Sequence, residues 1–166
     1  NPGGGQFTFG YNTGSATLAA GRTISAAPGT FDSGILWIKN FTQLGGTAQA
    51  LLLGTNASLT LMTGNIFNGN IVTTSGRLYL NGTTFNGTAR FTKSGSGGDG
   101  CDGGNIFNQL AEFTVSGTGN LSLHHNVNDQ FNGDVRVNST STGQISFGQV
   151  AGMSTLAAGR TIAVGG

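Results

Sequence analysis

The chain has 166 residues and a formal net charge of +1, and only 8% of its residues are charged whereas 36% are apolar. About half of it is Gly, Thr, Asn or Ser, but its eleven phenylalanines argue against disorder, because disordered segments are poor in aromatic residues. The near-neutral charge favours no nucleic acid partner, and without an apolar run of about 18 residues no membrane insertion is expected.

The first predicted strands lie in a segment that recurs near the end of the chain. Gln-Phe-Thr-Phe-Gly at 6–10 returns as Gln-Ile-Ser-Phe-Gly at 144–148, and the eight residues at 17–24 return unchanged at 155–162. Both segments are shifted by 138 positions. A fixed offset of this kind indicates a tandem repeat. We therefore divide the chain into one repeat unit, 1–143, and the start of the next, 144–166, packed on the same solenoid.

A shorter repeat follows, built on Phe-Asn-Gly. It starts at Phe67, Phe85 and Phe131, and Phe107 begins a Phe-Asn-Gln variant. Residues suited to strands recur four and six positions after each Phe, and Leu-x-Leu precedes three of the four motifs. A spacing of two places both side chains on one face of a strand. Each unit thus predicts a strand, a turn, an inward Phe, an Asn-Gly bend that tolerates positive φ, and a second strand.

Stacking such units gives the predicted fold, an all-β parallel β-solenoid with coils of about 18–24 residues. A single coil cannot bury its apolar face, whereas stacked coils do so together. We expect Phe67, Phe85, Phe107 and Phe131 to form an interior ladder, and we expect the asparagines that follow them to hydrogen-bond between coils. Those asparagines are Asn68, Asn86, Asn108 and Asn132. About seven coils per period would span about 33 Å.

An antiparallel β-sandwich is the alternative fold, because Asn-Gly is also a strong hairpin signal. Hairpins give no reason for the same spacing to recur after the same tripeptide four times. The repeated spacing therefore favours the solenoid.

Residues 97–102 resemble the start of a calcium-binding nonapeptide repeat, with Asp99 and Asp102 as candidate ligands. The large apolar residue that this repeat requires is replaced by Gly104, and only one copy is present, whereas such sites need stacked copies. We favour a flexible insertion over 94–104 that replaces the expected Leu-x-Leu. Neither a metal nor a cofactor is expected.

Other reactive side chains have a competing structural interpretation. His124, His125 and Asp129 could bind a metal, but adjacent strand residues point to opposite faces. Cys101 has no disulfide partner in the chain, and its Gly-rich setting suggests an exposed thiol that could join chains. Lys39 or Lys93 could form an amide cross-link with Asn, Asp or Glu; Lys93 could point inward, but we do not favour the bond.

The remaining candidates concern polysaccharides. A pair of carboxylates could hydrolyse glycosidic bonds, but the six acids show no cluster, so no enzyme is expected; Asp129 and Asp134 are expected to cap a turn. The acids are Asp32, Asp99, Asp102, Glu112, Asp129 and Asp134. Trp37 lies in an apolar run, which favours a core position over sugar stacking.

The Phe-Asn-Gly units and the Thr-Leu-Ala-Ala-Gly-Arg-Thr-Ile segment resemble tandem repeats of very large secreted surface proteins of the Bacteroidota. More distantly they resemble filamentous-haemagglutinin-type β-solenoid adhesins. The resemblance covers residues 6–164 and implies export to the cell surface, arrays of many copies, and roles in adhesion, fibres or matrix. It carries over no catalytic residue.

The expected function is a non-catalytic structural repeat that builds an extracellular fibre, stalk or adhesin by end-to-end association with copies of itself. The alternative is an adhesin module that binds surface glycans through exposed aromatic side chains such as Tyr11 or Tyr79. A polysaccharide-degrading enzyme is the least favoured interpretation.

Overall fold

The computed structural model describes residues 4–10, 13–27, 29–123, 125–148 and 153–165. Within these ranges the chain forms 21 β-strands, and every pairing between them is parallel. The described part of the chain is therefore a parallel β-solenoid, as predicted, and not an antiparallel sandwich.

Each of seven coils contributes one strand to each of three walls. Walls 2 and 3 are each one seven-stranded sheet, whereas wall 1 is divided between its fourth and fifth strands into a four-stranded and a three-stranded sheet. Wall 1 consists of β1 (Gln6–Phe9), β4 (Ser33–Ile38), β7 (Asn56–Leu61), β10 (Arg77–Leu80), β13 (Asp99–Gly100), β16 (Leu121–Leu123) and β19 (Ile145–Phe147). Wall 2 consists of β2 (Ala16–Leu18), β5 (Phe41–Gln43), β8 (Ile66–Phe67), β11 (Thr84–Phe85), β14 (Ile106–Phe107), β17 (Gln130–Phe131) and β20 (Thr155–Leu156). Wall 3 consists of β3 (Ser25–Ala26), β6 (Gln49–Leu52), β9 (Ile71–Ser75), β12 (Ala89–Lys93), β15 (Ala111–Val115), β18 (Val135–Ser139) and β21 (Ile162–Gly165).

The 138-residue period contains six coils, not the expected seven or so. Equivalent positions on wall 2 follow one another at intervals of 25, 24, 18, 22, 24 and 25 residues, which slightly exceeds the expected range of coil lengths. Those positions are Leu18, Gln43, Phe67, Phe85, Phe107, Phe131 and Leu156. At about 4.8 Å per coil, one period advances by about 29 Å. The number of coils was harder to count from the sequence because the first, second and seventh coils have no Phe at this position.

Alternation of side chains along each strand creates the core. In β12 and β15 every second residue is buried, so Phe91 and Phe113 point inward while Arg90 and Glu112 point to solvent. The interior of the solenoid is a continuous cluster of Leu, Ile, Val and Phe from all three walls. Because parallel register repeats the same inward position in each coil, burying one coil depends on the coils above and below it.

The glycine of the Phe-Asn-Gly motif has a role different from the expected one. Gly69, Gly87 and Gly133 are not among the glycines with positive φ. A Cβ added to Gly87 would lie 2.5 Å from the carbonyl carbon of Gly69, and one at Gly133 would lie 2.2 Å from the Gln109 oxygen. These glycines are needed because the backbones of successive coils approach closely at this bend.

Truncating a phenylalanine in the interior should lower the free energy of unfolding far more than truncating a phenylalanine on the first coil. Phe107 is 1% exposed and Phe7 is 53% exposed. We expect Phe107→Ala to lower the free energy of unfolding by about 3–5 kcal/mol because it leaves a cavity that neighbouring coils cannot fill, and Phe7→Ala to lower it by about 1 kcal/mol. Urea unfolding followed by circular dichroism measures both. Equal losses would contradict the placement of Phe107 in a shared core.

Candidate functional site

Four phenylalanines of wall 2 form one interior stack. Ring centroids are 5.8 Å apart between Phe67 and Phe85, 5.0 Å between Phe85 and Phe107, and 4.9 Å between Phe107 and Phe131. Neighbouring ring planes lie within 8° of parallel. Stacked and edge-on aromatic pairs each add to the stability given by burial. The ladder therefore holds successive coils in register.

A second, shorter stack runs beside the first, with its ring planes steeply inclined to those of the first stack. Phe91 and Phe113 on wall 3 stack at 5.5 Å. Their rings meet Phe85 and Phe107 edge-on, with interplanar angles of 75° for Phe85–Phe91 and 85° for Phe107–Phe113. The two stacks fill the space between walls 2 and 3 in coils 4 and 5.

Asparagines after the ladder phenylalanines form an outer hydrogen-bond chain. The Asn86 amide donates to Asn68 Oδ1 at 2.7 Å, Asn108 donates to Asn86 at 2.6 Å, and Asn132 donates to Asn108 at 2.8 Å. Each amide uses its donor toward one coil and its acceptor toward the next. The direction of donation is the same at each step, so the chain of amides polarises cooperatively.

A buried asparagine at the corner between walls 1 and 2 was not found from the sequence. Asn65 Nδ2 donates to the Ile38 carbonyl at 2.8 Å, and Asn65 Oδ1 accepts from Phe41 N at 3.1 Å. Asn105 makes the same two bonds with Leu80 O at 3.0 Å and Thr83 N at 3.1 Å. Both asparagines begin an Asn-Ile-Phe triplet, which was the available signal. They satisfy corner backbone groups of the preceding coil that would otherwise be buried without partners.

The 94–104 segment, expected to be a flexible insertion in place of Leu-x-Leu, includes the wall 1 strand of the fifth coil. Asp99 lies opposite Leu121 in the register of β13 and β16. Asp99 and Cys101 are both buried, whereas Gly100 between them is exposed. An Asp-x-Cys thus occupies the inward positions that Leu-x-Leu occupies in neighbouring coils. The strand was missed from the sequence because Asp99 and Cys101 take the inward positions where leucines were expected.

The buried Asp99 carboxylate forms an ion pair with Lys93. Lys93 Nζ lies 3.6 Å from Asp99 Oδ2, and both side chains are fully buried. Lys93 also donates to the carbonyls of Gly76 at 3.2 Å and Gly95 at 3.1 Å. Asp99 Oδ2 accepts from Leu78 N at 2.8 Å. Asp99 Oδ1 has no hydrogen-bond donor among the described residues.

Burial raises the pKa of Asp99 to about 6, although the bond from Leu78 N and the nearby Lys93 both oppose the shift. Loss of hydration therefore outweighs the attraction of the ammonium group. Of the two lysines considered for an amide cross-link, Lys93 is beside a carboxylate, whereas Lys39 is a half-buried residue after β4.

Cys101 is not the exposed thiol that the Gly-rich setting suggested. Its side chain is fully buried, and its Sγ lies 3.6 Å from the Leu78 carbonyl. Burial raises the pKa of the thiol to about 12. A buried, protonated thiol is a poor nucleophile and cannot reach another chain without opening of the coil.

The calcium candidates Asp99 and Asp102 do not converge. Asp99 points into the core, whereas Asp102 is exposed and accepts from Asn126 Nδ2 at 3.2 Å. Asp129 is buried and accepts from Asn105 N, His125 is half-buried, and His124 lies outside the described residues. Within the described ranges, no three His, Cys, Asp or Glu side chains form a group that could hold a metal ion.

The acids considered for hydrolysis are dispersed over the solenoid. Asp32 and Asp102 are exposed, and Glu112 pairs with Arg90 at 3.3 Å on the outside of wall 3. Asp134 accepts from Thr161 N at 3.0 Å, and Asp129 accepts from Asn105 N at 2.8 Å. Both carboxylates cap the backbone of an adjacent coil instead of the turn between them.

Trp37 is on the outer surface of wall 1 and not in the core. In β4 the buried residues Leu36 and Ile38 point inward, and Trp37 between them is half-buried on the outer face. Tyr79 occupies the same outer column, two coils further along. Tyr11, the other candidate aromatic, lies outside the described residues.

Both ends of the stack expose residues from inward-facing columns. Phe7, which aligns with the buried Leu36, is 53% exposed, and Val164, which aligns with Val137, is 82% exposed. These side chains are exposed because no further coil covers them within the described residues. Each end therefore presents an apolar surface together with an unpaired strand edge in each wall.

Comparison with known protein families, with curated proteins and with solved structures gave no match. Across the ranges that the structure describes, no helix has the length and apolar character that crossing a membrane requires.

Removing one partner of the buried ion pair should lower the free energy of unfolding more than replacing both partners by apolar residues. Asp99→Leu leaves the Lys93 ammonium without its carboxylate in the core, and we expect it to lower the free energy of unfolding by about 3–5 kcal/mol. Lys93→Met combined with Asp99→Leu should lower the free energy of unfolding by only about 1–3 kcal/mol, because no charge is then left unpaired but Leu78 N still loses its acceptor. Urea unfolding of the four proteins of this cycle measures the coupling. Additive losses would contradict the pairing.

The raised pKa of Asp99 predicts a specific pH dependence. The folded state binds the Asp99 proton more tightly than the unfolded state, whose value is near 3.8. Stability relative to Asp99→Asn should therefore decrease by up to about 3 kcal/mol as the pH rises from about 4 to about 7. Thermal and urea unfolding over this pH range measure the difference in stability between the wild type and Asp99→Asn. The contributions of the other carboxylates are the same in both proteins and cancel. A relative stability that increases with pH would show that Lys93 dominates.

Proposed function

We propose that this chain is a non-catalytic structural repeat of a secreted surface protein, in which copies continue one another as a single solenoid and build a stalk or fibre. The observation that carries the proposal is the position of the seventh coil. Residues 155–162 are identical to residues 17–24 of the first coil, and β20 and β21 pair with the strands of the sixth coil. The seventh coil is thus a copy of the first, stacked on the sixth.

This stacking provides the geometry of a junction between repeats. β19 aligns Ile145 with Leu121 and Phe147 with Leu123, as β1 aligns Phe7 with Leu36. In the described residues, the parallel register of all three walls continues from the sixth coil into the seventh. A following repeat would then place its second coil on the exposed Ile162 and Val164.

Contacts along the length of the solenoid also suit a rod-shaped structural unit. The phenylalanine stacks, the outer asparagine chain and the three walls all run in the same direction, so each coil is attached to the next at several points. Secretion to the cell surface and association with copies of itself are parts of this proposal. They are supported by the resemblance to surface repeats.

A glycan-binding adhesin module is the second candidate. It is supported by the position of Trp37 and Tyr79 in one outer column of wall 1. A polysaccharide-degrading enzyme has less support, because the described carboxylates lie on different walls or inside the core.

A chain of two periods tests the proposal. It would consist of residues 1–166 followed directly by a second copy of 29–166, the register that the 138-residue offset requires. We expect small-angle X-ray scattering to show one rigid rod, longer than the single period by about 29 Å. A matched control carries a Gly-Ser linker of about 12 residues at the junction and should behave as two bodies joined flexibly. A two-body scattering profile for the direct fusion would contradict a continuous solenoid.

A further inference from the structure

The outer face of wall 1 contains a trench that follows β7. The outward residues of β7 are short and polar, namely Ser58 and Thr60, whereas its neighbours carry long side chains. In the register of the three strands, Ile35 and Arg77 flank Ser58. Trp37 and Tyr79 flank Thr60 in the same way. A row of small side chains between two rows of large ones forms a groove parallel to the strands.

The floor of this trench is recessed. Thr60 is only 6% exposed although it points outward, because Trp37 and Tyr79 rise on either side. The two aromatic residues are two coils apart, about 9.6 Å between backbones. The depression between them has a volume of about 310 Å³ and also contacts Arg77 and Asn81.

The trench extends beyond the aromatic pair in both directions. Toward the start of the strands it shares Ile35, Ser58 and Arg77 with a second depression lined by Gly76 and Gly97. Toward the end of the strands it shares Asn81 with a third depression, which is lined by Met62 and also by the carboxylate of Asp102 and by Val127 of later coils, so an acidic ligand would avoid this end. The first two depressions follow β7 from Asn56 to Thr60, about five residues or about 16 Å, and the third crosses toward the next coils. The shape suits an extended chain more than a compact molecule.

The chemistry of the lining indicates the ligand. Aromatic walls stack against the apolar faces of sugar rings, and the hydroxyls of Ser58 and Thr60 and the amide of Asn81 can exchange hydrogen bonds with sugar hydroxyls. Arg77 is exposed, and no carboxylate among the described residues lies within salt-bridge distance of it. A guanidinium in this position binds a carboxylate in a bidentate manner.

We propose that wall 1 binds a linear acidic glycan along β7, with a sugar ring between Trp37 and Tyr79 and a sugar carboxylate at Arg77. This inference does not depend on the stacking of repeats. In an array, however, the trench would recur once per period, about 29 Å apart, and a polymer could engage several copies.

Isothermal titration calorimetry of the whole chain with a galacturonic acid hexasaccharide tests the site. We expect a dissociation constant in the micromolar range. Trp37→Ala and Tyr79→Ala should each weaken binding by at least about tenfold. Arg77→Gln should weaken it similarly and reduce its dependence on salt, because the charged contact is lost.

Matched controls separate this site from general adsorption. Arg136 is an exposed cation on wall 3, opposite Glu112 in the register, so Arg136→Gln should leave binding unchanged. A neutral glucose hexasaccharide should bind more weakly than the acidic one, and Arg77→Gln should remove most of that difference. Circular dichroism confirms that each variant is folded. The proposal is overturned if the acidic hexasaccharide does not bind, if both aromatic variants bind as the wild type does, or if Arg136→Gln weakens binding as much as Arg77→Gln.

Discussion

The structure depends on the parallel register between successive coils. A coil of 18 to 25 residues encloses too little volume to bury its own inward side chains, so each coil uses its two neighbours as the rest of its core. The ring of Phe107 is covered mainly by Phe85 and Phe131, at 5.0 and 4.9 Å, and by the edge of Phe113. A shift of one residue in any strand would turn its inward side chains to solvent. The phenylalanine rings, the asparagines and the close-approach glycines therefore all help to maintain this register.

The Lys93–Asp99 pair is the main departure from this apolar interior. It does not maximise stability, because two buried charges must give up hydration that their attraction only partly restores. Its position suggests what it does provide. Leu78 N donates to a carboxylate oxygen of Asp99 where the hydrogen-bonded ladder of wall 1 is interrupted between β10 and β13. The side chain thus replaces a missing strand contact, and the ammonium of Lys93 balances the charge required for it.

The architecture could be predicted from the sequence wherever inward positions carried apolar residues in a recurring motif. The spacing after Phe67, Phe85, Phe107 and Phe131 defined the coils and predicted the solenoid. It failed where another residue type took an inward position. Gln43 occupies the place of the ladder phenylalanine in the second coil, and Asp99 and Cys101 occupy the places of leucines in the fifth. The number of coils per period and the nature of the 94–104 segment were mispredicted for that reason.

Sites on the outside of the solenoid were beyond the reach of sequence patterns for a different reason. Trp37 was expected in the core because Ile35, Leu36 and Ile38 surround it, but strand alternation places it outside. Its partner Tyr79 is 42 residues away in sequence, and only the lengths of two complete coils determine that the two align. Since the interior and the asparagine bends set the register, other outward positions on the walls can vary at little cost to the fold. A solenoid therefore allows a binding surface to be built from residues that no local motif connects, on a scaffold whose stability does not depend on them.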